Sequence, residues 1–349
     1  MIQKQFQKVA ESAESLLRKA GISAEVRSVN LANAGGNNRI YRIETDESFF
    51  ALKEYFRHEG DLRDRLGAEF SFLTYAYKVS PDAVARPIAE DRQLAIALYE
   101  FIIGRTILPD TIGENEVDAA IKFFSALNDP MKRSKAQSLQ IASEACFSLE
   151  EHLQIIDRRI DQLLNIVPLG AGIDDERHQI EELADRWQSI QSWVRFEAHG
   201  LGWKTAEVLT HENRCVSPSD FGFHNALLTS RGLRFLDFEY AGWDDPAKTA
   251  GDFFSQLAVP VPTQYFDRFM AGIACLFEDS TKLIMRARLL RPVYQIKWCC
   301  IALNVLLPVH MSRRKFANRG LDEVKIKQEQ LVKAKKILQN IQGSYHGLH

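Results

Sequence analysis

Three oxygen-bearing side chains fall within one run, SPSDFGFHNALLTSRGLRFLDFEYAGWDDP, from Ser217 to Pro246. Ser230-Arg231-Gly232 separates two apolar segments, ALLT and LRFLDF, so the run reads as a hairpin centred near Arg231. Asn225 and Asp237 each lie six residues from Arg231, and directly opposed residues of a hairpin have Cβ atoms roughly 4.5–5.5 Å apart. One amide oxygen and one carboxylate at that separation suit Mg²⁺, which takes oxygen ligands and fills its other positions with water and substrate phosphates. Asp220, five residues ahead of Asn225, is a carboxylate of the type that can accept a proton from a hydroxyl group. By itself an Asp in a Ser/Pro/Gly loop reads equally as a turn residue. It is the hairpin and the D-F-E that follows which point to chemistry.

These residues need elements to hold them. From Glu25 to Phe101 the chain reads as short strands, EVRSVN, RIYRIET, FFALKEYF and LAIALYEFI, with TDES as a hairpin turn and one helical stretch from Arg63 to Lys78. Lys53 interrupts the apolar strand FFALKEYF. A half-buried cation without a partner is costly, so it requires phosphates or a carboxylate; Glu59, Asp61, Asp64 and Glu69 follow within reach. From Asn115 to about Gly202 the pattern turns helical, with breaks at NDP and PLGAG. Strand and turn return over Val216 to Tyr240, and helices resume to the end. The predicted fold class is α+β, with two lobes: residues 1–103 a small sheet-rich lobe with an N-terminal helix, residues 104–349 a large helical lobe.

Composition narrows the function classes. The 349 residues are 46% hydrophobic, 10% aromatic and 26% charged, with a formal net charge of −2. This is the profile of a globular protein, and the whole-molecule field favours neither nucleic acid nor an acidic membrane. The N-terminal residues alternate apolar and charged residues at helical spacing and lack the continuous apolar stretch of a secretory signal. The most apolar run, Trp298 to Val309, is too short to cross a bilayer and reads as a buried helix. Five scattered cysteines without metal-ligand spacing suggest a reducing, cytoplasmic setting.

The segment from Ser217 to Phe254 resembles the aminoglycoside phosphotransferase and choline kinase family, which has a protein-kinase-like fold. The family's core reads H-G-D-x4-N, then a strand ending in D-x-[DE], then a helix bearing another Asp; here Asp220, Asn225, Asp237, Glu239 and Asp252 stand at those positions. The D-x4-N spacing is also that of the kinase catalytic loop. The resemblance implies a kinase that uses Mg²⁺ with ATP, or GTP, and phosphorylates the hydroxyl of a small molecule. It makes Asp220 the catalytic residue and gives the metal to Asn225 and Asp237. Lys53 would hold the nucleotide phosphates with the loop of Gly35, Gly36 and Asn37, and Glu69 would pair with Lys53. The backbone of Glu100, Phe101 and Ile102 would meet the adenine edge, with Ile40, Ala51 and Leu236 as candidate walls around the base. Pro218-Ser219 replaces the family's His-Gly, which puts the geometry of the loop at issue; His224 is a candidate to take over the bracing.

By the family's layout the acceptor lies beside Asp220, and Glu239, Trp243, Asp244 and Trp298 are the candidates for contacting it, with Tyr240, Asp245, Lys297 and Asn304 nearby. The cations Lys297, Arg313, Arg314 and Lys315 favour a sugar or related polyol over an aminoglycoside or a choline-like amino alcohol. Asp237 is followed by DDP and a helix within about ten residues, which leaves no room for a protein kinase's activation segment. The missing His-Gly keeps open a nucleotide-binding scaffold without turnover. The lysines of the C-terminal stretch read as the solvated face of an amphipathic helix.

Overall fold

Alternation sets the first sheet. In β2 (Arg39–Thr45) the side chains of Tyr41 and Ile43 are buried while Arg42 and Glu44 are half-exposed. In the computed structural model, which describes residues 2–32, 38–58, 61, 63–166, 174–318 and 320–341, this strand lies between β1 (Val26–Leu31) and β3 (Phe49–Glu54). The helix α2 (Arg65–Val79) follows, then β4 (Pro87–Asp91) and β5 (Ile96–Glu100), giving an antiparallel sheet of order β1-β2-β3-β5-β4. The amphipathic helix α1 (Ile2–Lys19) covers one face, burying Ala13, Leu16 and Leu17 among Tyr41, Ile43, Leu52 and Leu98. On the other face Phe72, Leu73 and Ala76 of α2 join Ala97 and Tyr99 in the main core. The sequence reading missed β4: PIAED begins on a proline and carries two carboxylates, a pattern proteins tolerate at a sheet edge, where β4 lies.

After the short strand β6 (Arg105–Thr106) the chain is mostly helical: α3 (Glu114–Asn128), α4 (Pro130–Arg133), α5 (Leu149–Ile166) and α6 (Asp174–Gly200). PLGAG lies outside the described residues. Four short strands then hold the segment of interest, β7 (Cys215–Ser217), β8 (Ala226–Thr229), β9 (Gly232–Phe235) and β10 (Gly242–Asp244). The helices α7 (Pro246–Ser255), α8 (Phe266–Ala274), α9 (Ser280–Leu303), α10 (Pro308–Ala317) and α11 (Glu323–Ile341) complete the chain. α9 packs against α5, α6, α7, α8 and α11, so apolar side chains surround it, Leu289, Leu290, Val293, Ile296 and Cys300 among them. The apolar run from Trp298 to Val309 is the end of α9, a 3₁₀ turn and the start of α10. Among the described residues no single helix is long and apolar enough to cross a membrane.

The hairpin register differs by one from the sequence expectation. Thr229 pairs with Gly232 and Ala226 with Phe235, so the turn is the two residues Ser230-Arg231 and Asn225 stands opposite Leu236, whose amide donates to the Asn225 carbonyl at 2.8 Å. Gly232 explains the shift. Its φ of +107° closes a two-residue turn, and Thr229 Oγ1 caps that turn by bonding Gly232 O and Arg231 N. In a regular strand a slip of one residue would turn Asp237 to the far face. Asp237 instead leaves strand geometry, with φ +63°.

Candidate active site

Lys53 is in the middle strand of the sheet, paired with Ile40 on β2 and Ala97 on β5, and its residue is 5% exposed. Its ammonium lies 2.6 Å from Glu69 Oε2 and 2.7 Å from Asp237 Oδ1. Burial alone would lower the lysine pKa, but the carboxylates of Asp237 and Glu69 outweigh it and hold the group charged, well above the ordinary lysine range. Glu69, buried on α2, also accepts the Tyr55 hydroxyl at 2.6 Å and the Phe238 amide at 3.3 Å. Of the other carboxylates within reach in sequence, Asp61 is engaged by Arg63 and Arg65, Asp64 caps α2, and Glu59 lies outside the described residues. The contact to Asp237, which joins the sheet lobe to the helical lobe, was not foreseen from sequence.

The loop bearing Asp220 is held from below. Ser217 Oγ, at the end of β7, accepts the Ser219 amide at 3.1 Å and bonds Thr249 Oγ1 of α7 at 2.9 Å. The chain then passes through the left-handed region at Ser219 (φ +50°) and Asp220 (φ +31°). Ser219 occupies the place of the family's glycine, the residue that takes such a φ without steric cost. Asn225 Nδ2 donates to the Asp220 carbonyl at 3.1 Å, and His224 Nε2 lies 3.2 Å from Asp220 Oδ1. Bracing thus comes from Thr249 beneath the loop and from His224 and Asn225 beside it.

Asp220, Asn225 and Asp237 line one cleft of about 410 Å³ between the loop bearing Asp220, α9, α10 and α11. The Asn225 amide nitrogen is committed to Asp220, which leaves its carbonyl oxygen as the end available to a cation. Asp237 contributes a carboxylate about one-third exposed. Hard oxygen donors of this kind fit a divalent ion that shares its remaining positions with phosphate and water. Among the described residues there is no cluster of three or more His, Cys, Asp or Glu able to enclose a metal without such help.

Three of the acceptor candidates do not face this cleft. Glu239 is buried, accepting Asn38 Nδ2 at 2.6 Å and ion-paired to Arg65, so it ties α2 to the segment after the hairpin. Trp243 is core: its indole donates to the Ala136 carbonyl at 3.0 Å and its ring packs on His211. Asp244 is fully buried, paired with Lys248 and accepting the Cys146 and Asp245 amides; burial pushes its pKa up to about 6 against the pull of Lys248. Asp245 caps α7 and binds His152 and Arg286. Trp298 does line the cleft, with its indole N–H fixed to Asp252 at 3.0 Å. Tyr240, Lys297 and Asn304 line it as well.

At the expected hinge, the Glu100 amide donates to Arg86 O and the Phe101 amide to Phe49 O, and the Glu100 carboxylate binds Arg234. The Ile102 amide has no partner among the described residues. Ile40, Ala51 and Leu236 are half-buried. Gly35, Gly36 and Asn37 lie outside the described residues. Sequence reasoning missed Arg65, which is buried and joins Asp61, Glu239 and Tyr240. An arginine in the first turn of an apolar helix, where a helix favours anions, was the available signal.

Residues 28–274 match the family model described as the APH phosphotransferase enzyme family. No curated protein sequence matches the chain. Among solved structures, a choline/ethanolamine kinase family protein from Mesorhizobium loti is similar at 16% identity and TM-score 0.56, with 94% of this chain and 95% of that one covered. Spectinomycin phosphotransferase APH(9)-Ia, solved with ADP and spectinomycin, gives 13% identity and TM-score 0.58 over 95% and 98% of the two chains. The choline kinase LicA from Streptococcus pneumoniae gives 17% and 0.53 over 96% and 98%. At these identities the structures speak for a shared kinase-like fold, with its small antiparallel sheet and helical remainder. The family match covers well over half of the chain, and on that ground the protein belongs to the APH phosphotransferase enzyme family, a phosphotransferase with an alcohol group as acceptor.

Proposed function

We propose that this protein transfers the γ-phosphate of Mg²⁺-bound ATP to a hydroxyl group of a sugar or similar small metabolite. The observation that supports this reading best is that Asp220, Asn225 and Asp237 line one cleft and that Lys53, from the sheet lobe, is ion-paired to the Asp237 of that cleft. A scaffold without turnover has no need of all four. Lys53, kept charged and oriented by Glu69, would take the nucleotide phosphates. Asn225 and Asp237 would hold the divalent ion, which supplies charge neutralisation for the transferring phosphoryl group when bound. Asp220 would align the acceptor hydroxyl and receive its proton, with His224 fixing the carboxylate. ATP is the donor proposed and GTP the alternative to be measured.

The test is ADP or GDP release with Mg²⁺ and pooled sugars, amino sugars, amino alcohols, nucleosides and aminoglycosides. Release that depends on a pool and drops by orders of magnitude in Asp220→Asn, with nucleotide affinity retained, is the expected result. Full activity in Asp237→Ala would remove the metal assignment. Nucleotide binding without stimulated release by any pool would favour a scaffold.

A further inference from the structure

The cleft above Asp220 is unevenly charged once its internal pairs are set aside. Glu144 is bound by both of its oxygens to Arg159, and Asp252 accepts Lys297 at 2.9 Å together with the Trp298 indole. Asp237 is held by Lys53, and Arg63 is held by Asp61. What is left lining the cleft is one carboxylate, Asp220, and three cations, Arg313 and Arg314 on α10 and Lys333 on α11. Among the described residues none of the three has a carboxylate within ion-pair distance.

Arg313 is the informative one. It is 4% exposed, and its hydrogen-bond partners are the neutral Tyr240 hydroxyl and His310 ring. It donates to Tyr240 Oη at 3.2 Å, an oxygen that also serves Arg65, and lies 3.1 Å from His310 Nδ1, while its Nε is buried with no partner. Arg314, half-buried, has no partner among the described residues. Burial lowers the pKa of both; at Arg313 Tyr240 and the more distant Glu239 oppose it while Arg65 and Arg63 add repulsion, and at Arg314 no opposing charge acts. Burying a guanidinium without a counter-charge is costly, and guanidinium forks match the oxygens of phosphate and carboxylate. An acceptor bearing an amine would find no free carboxylate here except the one needed for the reaction.

We propose that the acceptor is an anion, a small hydroxyl compound bearing a phosphate or carboxylate group that Arg313 and Arg314 bind while Asp220 aligns its hydroxyl. This rests on the kinase reading for the role of Asp220, but the anion site can be tested apart from turnover. α10 and α11 lie beyond residue 274, where the family match ends, so the cations belong to a part of the chain that the match does not cover.

The experiment has a binding arm and a turnover arm. With the protein saturated in Mg²⁺ and AMP-PNP, calorimetric titration of inorganic phosphate and of glucuronate reads the anion site in wild type, Arg313→Gln and Arg314→Gln. Binding by the wild type of at least one of these anions, weakened at least tenfold in Arg314→Gln with AMP-PNP affinity unchanged, is expected; Arg314, being half-buried, keeps the test valid if Arg313→Gln fails to fold. Glucose, glucosamine, glucuronate and glucose 6-phosphate are compared in ADP release. An anionic acceptor whose KM rises in Arg314→Gln with little change in kcat supports the proposal and separates the carboxylate source from the phosphate source. No anion binding, or binding equal in the variants, overturns it. So does loss of AMP-PNP affinity in both arginine variants, which would assign the cations to the nucleotide. Turnover of glucose or glucosamine by a protein that binds no anion refutes this inference alone. Anion binding without ADP release from any alcohol refutes the kinase reading and leaves the anion site standing.

Discussion

Replacing Lys53 by Met tests the centre of the site. The side chains of Lys53 and Glu69 are 7% and 5% exposed and their charged atoms 2.6 Å apart. Removing one partner of such a pair leaves the other charge buried, a loss of about 3–5 kcal/mol. Asp237, about one-third exposed, can turn to water and adds little. Burial already raises the Glu69 pKa against the pull of Lys53, and without the lysine it must rise further. A carboxyl with a raised folded-state pKa binds more protons folded than unfolded. Stability is then greatest below its unfolded value, near 4.5, and falls as pH climbs through the folded value. Lys53→Met should therefore lose about 3–5 kcal/mol in urea unfolding at pH 8 and recover part of it at pH 5. The double variant Lys53→Met/Glu69→Gln should stand above the single one at pH 8, because an amide keeps the Tyr55 and Phe238 bonds without the charge. If Lys53→Met lies within about 1 kcal/mol of wild type at pH 8 and shows the same pH slope, the pair is not the buried, mutually dependent unit described here.

Other perturbations report on other parts of the site. Ser219→Gly relieves a left-handed backbone worth about 1–2 kcal/mol and gives back about 0.4–1 kcal/mol in the unfolded chain. Thermal unfolding should therefore show an unchanged or higher Tm, and a fall of several degrees would argue against the strain. His224→Ala should lower kcat with the nucleotide KM unchanged, since the ring touches Asp220 and not the phosphate-binding lysine; a raised nucleotide KM would place the histidine differently. His152 is fully buried between Asp245 and Tyr294, and desolvation, opposed by Asp245, lowers its pKa to about 4 from 6.5. The unfolded chain takes up that proton first, so stability should fall by up to roughly 3 kcal/mol as pH drops from 6.5 to 4. Urea midpoints across that range should slope less in His152→Gln, and equal slopes would clear this residue.

What the sequence made legible was local. The alternation of β2 and β3 placed Lys53 between two strands, and the Lys53–Glu69 spacing spans the end of β3, residues 55–64 and little more than the first turn of α2, so the helix that follows the strand brings the two together. The limits of reading were also physical. A one-residue difference in turn length cannot be fixed by Ser-Arg-Gly alone, and it changed which residue faces Asn225. Asp244 and Asp245 looked available because carboxylates usually face water. The i,i+4 lysine, Lys248, and the proline after Asp245, the mark of a helix start, indicated burial and capping instead. The Lys53–Asp237 contact spans 184 positions, and nothing in local pattern encodes a distance of that kind.

The placement of α9 bears on how specificity can diverge or be redesigned. Lys297, Trp298, Ile301 and Ala302 face the cleft, while Val293, Ile296, Cys300 and Leu303 are buried in the core. A helix that serves as keystone and wall at once leaves little latitude: exchanges on the cleft side must respect a register already set by the core. α10 and α11 are under weaker constraint, since they carry fewer buried side chains and present several of their residues to solvent. On the acceptor site proposed above, new acceptor preferences are therefore most accessible by changing these two helices over an unchanged reaction centre, and chimeras exchanged after Leu303 are the natural way to test this.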